Sequence, residues 1–128
     1  MSAAKTIRVV MAEDSPADAE LAAYALKRHG IAAVVVVATT EQEFREALVA
    51  APTDVVISDF SMQVMDGGMA YEIARELVPN APFVFLSGSI FYRANEFEPM
   101  KAAAVLDKKD MDKLGAVVDR LLHRPAGP

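Results

Sequence analysis

Five polar side chains stand where apolar runs stop. Glu13 and Asp14 follow the run 7–12, Asp59 closes the run 54–59, Ser87 follows 83–86, and Lys108 comes just after 104–106. In an open parallel α/β sheet, ligands bind in the crevice outside the carboxyl ends of the strands, so residues distant in sequence meet there when their strands are neighbours. Three carboxylates form a hard oxygen donor set. Mg²⁺ suits it, because that ion prefers octahedral oxygen ligation, keeps several waters and takes one or two carboxylates plus a phosphate. Asp14 and Asp59 can supply those carboxylates, with Glu13 placed to hold a bound water. The Ser87 hydroxyl can donate to one phosphoryl oxygen while the Lys108 ammonium neutralises another. Asp59 is then the candidate nucleophile, since a carboxylate can accept a phosphoryl group as an aspartyl-phosphate. Taken singly, most of these residues have plain explanations: acids before a helix favour its dipole, and a strand-end serine or a solvated lysine is ordinary. Asp59 is different, because core packing poorly explains a carboxylate that ends an otherwise apolar strand.

The elements that position these residues alternate along the chain. The strand 7–12 is followed by Ser15 as N-cap and Pro16 at the first helical position, with Gly30 as the stop. Leu21, Ala22, Ala25 and Leu26 give this helix its buried face. The run 33–38, with four consecutive valines, reads as a strand covered on both sides. Thr40 and Glu43 form a capping-box pattern opening a helix that buries Phe44, Ala47 and Leu48, and Pro52 ends it. Gly67 and Gly68 break the loop after Asp59, ahead of a helix with the inner face Ala70, Ile73, Ala74 and Leu77. Strands at 83–86 and 104–106 follow, then a last helix marked by Leu114, Val117, Val118 and Leu121. Such alternation implies a parallel sheet with right-handed crossovers and helices on both faces.

Composition narrows the function. A chain of 128 residues, 53% hydrophobic, suits one domain with a single sizeable core. We divide it into a lead at 1–6, the domain at 7–123 and a tail at 124–128. A net charge of -5 argues against a nucleic-acid partner, which would need a dense basic face. The chain has no cysteine, so it has no disulfide framework, thiolate metal site or cysteine nucleophile. The start of the chain lacks a signal-peptide core, and no apolar run approaches the roughly 20 residues needed to span a bilayer. The expectation is a cytoplasmic protein without a membrane partner.

Taken in order, these residues resemble the receiver domain of two-component response regulators, over nearly the whole chain. The resemblance rests on the acidic pair Glu13-Asp14, the apolar strand ending in Asp59 with Gly67 eight residues on, Ser87-Gly88 after the fourth strand, and Lys108 after the fifth. It implies a flavodoxin-like, doubly wound five-stranded parallel sheet of strand order 2-1-3-4-5. It further implies Asp59 as phosphoacceptor, and Glu13, Asp14, Asp59 and the Ser61 backbone carbonyl around Mg²⁺. Ser87 and Gly88 would form the switch, with Lys108 binding the phosphate. The implied partners are a sensor histidine kinase or a phosphotransfer protein.

Three positions depart from the family pattern: Gln63 where a proline is usual, Val105 where a rotating aromatic often stands, and Lys109 where a proline usually follows the lysine. They leave the phosphorylation chemistry intact and alter the usual output switch. Phe91, Tyr92 and Phe97 fit either a core helix or, since the family signals there, a partner surface; with Val105 they are the candidate output surface. The expectation is a stand-alone receiver domain or one excised from a larger protein, with output through a protein partner, onward phosphotransfer or homodimerisation. The domain would assist its own phosphoryl uptake and hydrolysis without being a turnover enzyme.

Rival readings fare unequally. An aspartate-dependent phosphatase needs a second aspartate two residues after the nucleophile, where this chain has Ser61. A flavin module needs neutral donors in the first loop, which here is acidic. A receiver acting as a phosphorylation-independent interaction domain is the strongest alternative.

Overall fold

The computed structural model describes residues 6–60, 62, 65–88 and 101–123. Ser61, Gln63, Phe91, Tyr92 and Phe97 lie outside the described residues, as does the 124–128 tail. The order of elements is β1 (Ile7–Ala12), α1 (Pro16–Arg28), β2 (Ala33–Ala38), α2 (Glu41–Ala50), β3 (Val55–Asp59), α3 (Gly67–Leu77), β4 (Phe83–Ser87) and β5 (Ala104–Asp107). A 3-10 segment (Lys108–Lys113) leads into α4 (Leu114–His123). All strand pairs are parallel and the sheet runs β2-β1-β3-β4-β5, the flavodoxin-like order.

Strand alternation divides the core into two layers. Val10, Val56, Phe83 and Phe85 face one side, where Phe44 and Leu48 of α2 and Ala70, Ile73 and Ala74 of α3 cover them. Val9, Met11, Val55, Ile57, Val84 and Leu86 face the other, beneath Ala22 and Leu26 of α1 and Leu114 and Val118 of α4. Three central strands therefore read as continuous apolar runs because both of their faces are buried.

Caps hold the helices where the sequence indicates. The Ser15 hydroxyl accepts from the Asp18 amide at 3.3 Å, with Pro16 in the first turn. Gly30 follows the end of α1 at φ +94°, the left-handed conformation that glycine adopts without strain. Thr40 accepts from the Glu43 amide at 3.1 Å, and the Glu43 carboxylate reaches back to the Thr39 amide at 2.9 Å.

Three expectations are corrected. The valine run of β2 is an edge strand, not one covered on both sides: Val34 is 54% exposed and Val37 43%. A β-branched run reports strand propensity, and only the neighbour order reports burial. On α1, Leu21 is exposed and Ala19 is buried in its place, so the inner stripe is Ala19, Ala22, Ala25 and Leu26. Gly67 does not break a loop. It is the first residue of α3, whose N-cap is Asp66, accepting from the Met69 amide at 2.8 Å. No helix among the described residues is long and apolar enough to cross a membrane.

Candidate functional site

Sheet register brings the polar strand ends together. Ala12 pairs with Ser58, so one residue further on Glu13 stands beside Asp59; Asp59 pairs with Leu86, and Ser87 with Asp107. Side-chain alternation then sorts them. Glu13 continues the Val9, Met11 series, Asp59 the Val55, Ile57 series, and Lys108 the Ala104, Leu106 series, all on the layer covered by α1 and α4. Ser87 continues the Phe83, Phe85 series of the opposite layer and is buried at the end of β4.

One carboxylate oxygen from each of Glu13, Asp14 and Asp59 lies within 4.8 Å of the others. Glu13 and Asp59 are buried, at 1% and 5% exposure, while Asp14 is exposed at the rim. The backbone bend after β1 holds Glu13 in place, its Oε2 accepting from the Ser15 amide at 3.1 Å. The donors fit a hard divalent cation such as Mg²⁺. They are all carboxylate oxygens, two of them buried, and the buried Glu13 Oε1 has no hydrogen-bond partner of its own.

Lys108 reaches this cluster from the 3-10 segment. Asp107 ends β5 and caps the segment, accepting from the Lys109 amide at 2.9 Å, which orients the turn that starts at Lys108. The Lys108 ammonium lies 3.1 Å from Glu13 Oε1, 3.4 Å from Asp59 Oδ2 and 2.7 Å from Asp18 Oδ2. The contact with Asp18 is a hydrogen bond, whereas that with Glu13 is an ion pair out of hydrogen-bond alignment.

Charge follows from this packing. Burial and the neighbouring Asp59 charge push the Glu13 carboxyl above its ordinary pKa, against the opposing pull of Lys108 and the Ser15 amide. Burial alone would lower the Lys108 pKa, but the hydrogen bond to Asp18, close contact with Glu13 and the charge of Asp59 outweigh it and raise the pKa above the ordinary lysine value. Lys108 is therefore a permanent cation at physiological pH.

Behind the pocket the Asp59 strand is clamped to α3. The Gly67 amide donates to the Phe60 carbonyl at 2.9 Å, and Phe60 meets Phe85 edge to face at 5.4 Å between centroids. Gly88 is exposed, with an ordinary φ and nothing within 4 Å of where a Cβ would stand, so its backbone does not depend on being glycine. Val105 is half-buried against the α2/α3 layer.

Thus Glu13, Asp14, Asp59 and Lys108 converge as the sequence reading places them, and Ser87 lies at the adjoining strand end. Sequence reasoning missed Asp18. An acid in the first turn of a helix has a sufficient explanation in the helix dipole, and the one signal available was its place three residues after the Ser15 cap, on the turn that opens over the pocket.

Comparisons with known proteins agree with this geometry. The family model described as "Response regulator receiver domain" matches residues 9–119. Among solved structures, the receiver domain of the Francisella response regulator 1452 is 23% identical with a TM-score of 0.77, covering 92% of this chain and 98% of that one. The chemotaxis protein CheY4 of Vibrio cholerae is also 23% identical with a TM-score of 0.77, covering 92% and 100%. A sensor protein from Polaromonas sp. JS666 is 21% identical with a TM-score of 0.76, covering 91% and 95%. At such identities the likeness carries the fold alone. No curated protein matches the chain.

Proposed function

The chain belongs to the response regulator receiver domain family, and on that premise we propose that Asp59 accepts a phosphoryl group from a phosphohistidine of a sensor kinase or phosphotransfer protein. An Asp59 carboxylate oxygen forms the new bond to phosphorus as the phosphorus–nitrogen bond breaks, and the imidazole leaves with the electron pair and takes up a proton. Lys108 balances the charge that gathers on the phosphoryl oxygens, and the Ser87 hydroxyl donates to one of them once the group is in place. Glu13, Asp14 and Asp59 would hold Mg²⁺, which when bound screens carboxylate from incoming phosphoryl and offsets negative charge. Members of this family generally bind Mg²⁺ at such an acidic pocket.

A single observation carries the reading: Asp59 is a buried carboxylate at the end of a strand whose first three residues are apolar and buried, with an ammonium 3.4 Å from its Oδ2. Burial disfavours a bare charge there unless it is paired, and the pairing found is the one a phosphoryl acceptor needs. The domain is consumed in the reaction rather than turned over, and it works in the cytoplasm through a protein partner. Incubation with acetyl phosphate and Mg²⁺ should add one phosphoryl to the intact mass of the parent and none to Asp59→Asn. A parent that takes up no label, or equal labelling of both proteins, makes this a phosphorylation-independent interaction domain instead.

A further inference from the structure

The nearest carboxylate to Lys108 is not one of the metal acids. Asp18 Oδ2 stands at 2.7 Å, inside both Glu13 Oε1 at 3.1 Å and Asp59 Oδ2 at 3.4 Å, and its contact with the ammonium is a hydrogen bond. The two residues are 90 positions apart, so the fold and not the local chain creates the contact. Side-chain exposure rises in step with position, from 0% at Glu13 through 18% at Lys108 to 32% at Asp18. The ammonium is thus stretched between a buried floor and a half-open rim. The rim end is anchored: the Asp18 amide is tied to the Ser15 cap at 3.3 Å, and the next amide, of Ala19, donates to the Ser15 carbonyl at 3.0 Å.

We propose that Asp18 is a positioning residue that draws the Lys108 ammonium toward the rim, and so controls how far the ammonium competes with a divalent cation for Glu13 and Asp59. Attraction between unit charges falls with distance and with local dielectric. An ammonium released from Asp18 keeps only the Glu13 and Asp59 carboxylates, at 3.1 and 3.4 Å in a more buried setting, and it settles further onto them. There it occupies the charge a metal would neutralise. The same inward move places it nearer the oxygens of a phosphoryl group on Asp59. Asp18 therefore favours metal entry and restrains the engagement of Lys108 with the phosphoryl group; only the second effect rests on the phosphoacceptor reading.

The test is a calorimetric Mg²⁺ titration of the full chain in four backgrounds: parent, Asp18→Asn, Lys108→Met and the double variant. Asp18→Asn should weaken Mg²⁺ about five-fold, the scale of one coupled charge contact. Glu20→Gln removes the same charge from an exposed position on α1 and should shift affinity less than about two-fold, because exposed charges are screened. With Lys108→Met in place, Asp18→Asn should act no more strongly than that control. An equal effect of Asp18→Asn with and without Lys108 would make it a plain field effect and overturn the proposal, as would an unchanged affinity or a parent that binds no Mg²⁺. At saturating Mg²⁺, Asp18→Asn should also take up label from acetyl phosphate faster than the parent, and slower uptake counts against the proposal. A parent that takes up no label defeats the phosphoacceptor reading, while the Mg²⁺ cycle still decides the role of Asp18.

Discussion

Gly67 and Phe60 touch through their backbones: a Cβ built on Gly67 would lie 2.7 Å from the Phe60 Cα and 2.8 Å from its ring. The first turn of α3 is therefore pressed against the residue that follows Asp59, and the Gly67 amide donates to the Phe60 carbonyl there. The need for glycine here is steric, since the neighbouring atom is backbone and cannot swing aside.

Gly67→Ala should accordingly lose about 1–3 kcal/mol, the usual cost of overpacking a well-filled site, and slow the labelling of Asp59. Denaturant unfolding and intact mass measure the two effects. Gly68→Ala is the control, because its Cβ would meet only the Asp66 side chain, at 3.3 Å. A Gly67→Ala protein as stable as Gly68→Ala would show that the α3 start can move away from the Asp59 strand.

A second expectation concerns acid. Hydrogen bonds from the Thr39 amide and hydroxyl to the Glu43 carboxylate hold its pKa below the ordinary 4.5. A carboxyl with a depressed folded pKa contributes stability that is fully present above the unfolded value and is lost as pH falls through the folded one. Glu43→Gln should therefore flatten the stability profile below pH 4.5 and leave its slope near neutrality unchanged. Thr40→Ala, which removes the cap itself, should cost about 1 kcal/mol at every pH. Urea midpoints across the acid range separate the two, and an unaltered acid limb in Glu43→Gln would contradict the assignment.

Much of the fold and most of the pocket were legible because strand ends are sharp in this sequence. Val55-Val56-Ile57 giving way to Ser58-Asp59 marks both a strand and its exit, and a parallel sheet makes that exit a site. What was not legible depends on partners distant in the chain. Four valines mark β2 as a strand but are silent on its edge position, which the crossover order decides. Leu21 and Ala19 both lie beside the Ala22, Ala25 and Leu26 stripe, and only the way α1 rests on the sheet decides that Ala19 is the one buried. Asp18 looks like a dipole-favoured acid until Lys108 arrives from 90 residues away. Gly67 looks like a breaker until Phe60 and Phe85 close around it.

The acidic cluster makes the last prediction. Two buried carboxylates and a rim carboxylate, with ligating oxygens inside 4.8 Å, repel one another, and Lys108 compensates only part of that charge while it is shared with Asp18. Metal-free protein is thus held below its attainable stability, and Mg²⁺ should raise its melting temperature. At ten times the dissociation constant the linkage gain is about 1.4 kcal/mol, or roughly 5 °C for a domain of this size. Chelation should reverse the gain fully. Asp14→Ala removes the exposed acid without opening a core cavity, so it should raise the metal-free melting temperature while abolishing the response to Mg²⁺. If Asp14→Ala keeps the parent's Mg²⁺ response, the ion is held elsewhere. If the parent shows none up to tens of millimolar, far weaker than specific protein sites of this ligand type, the cluster is not a metal site.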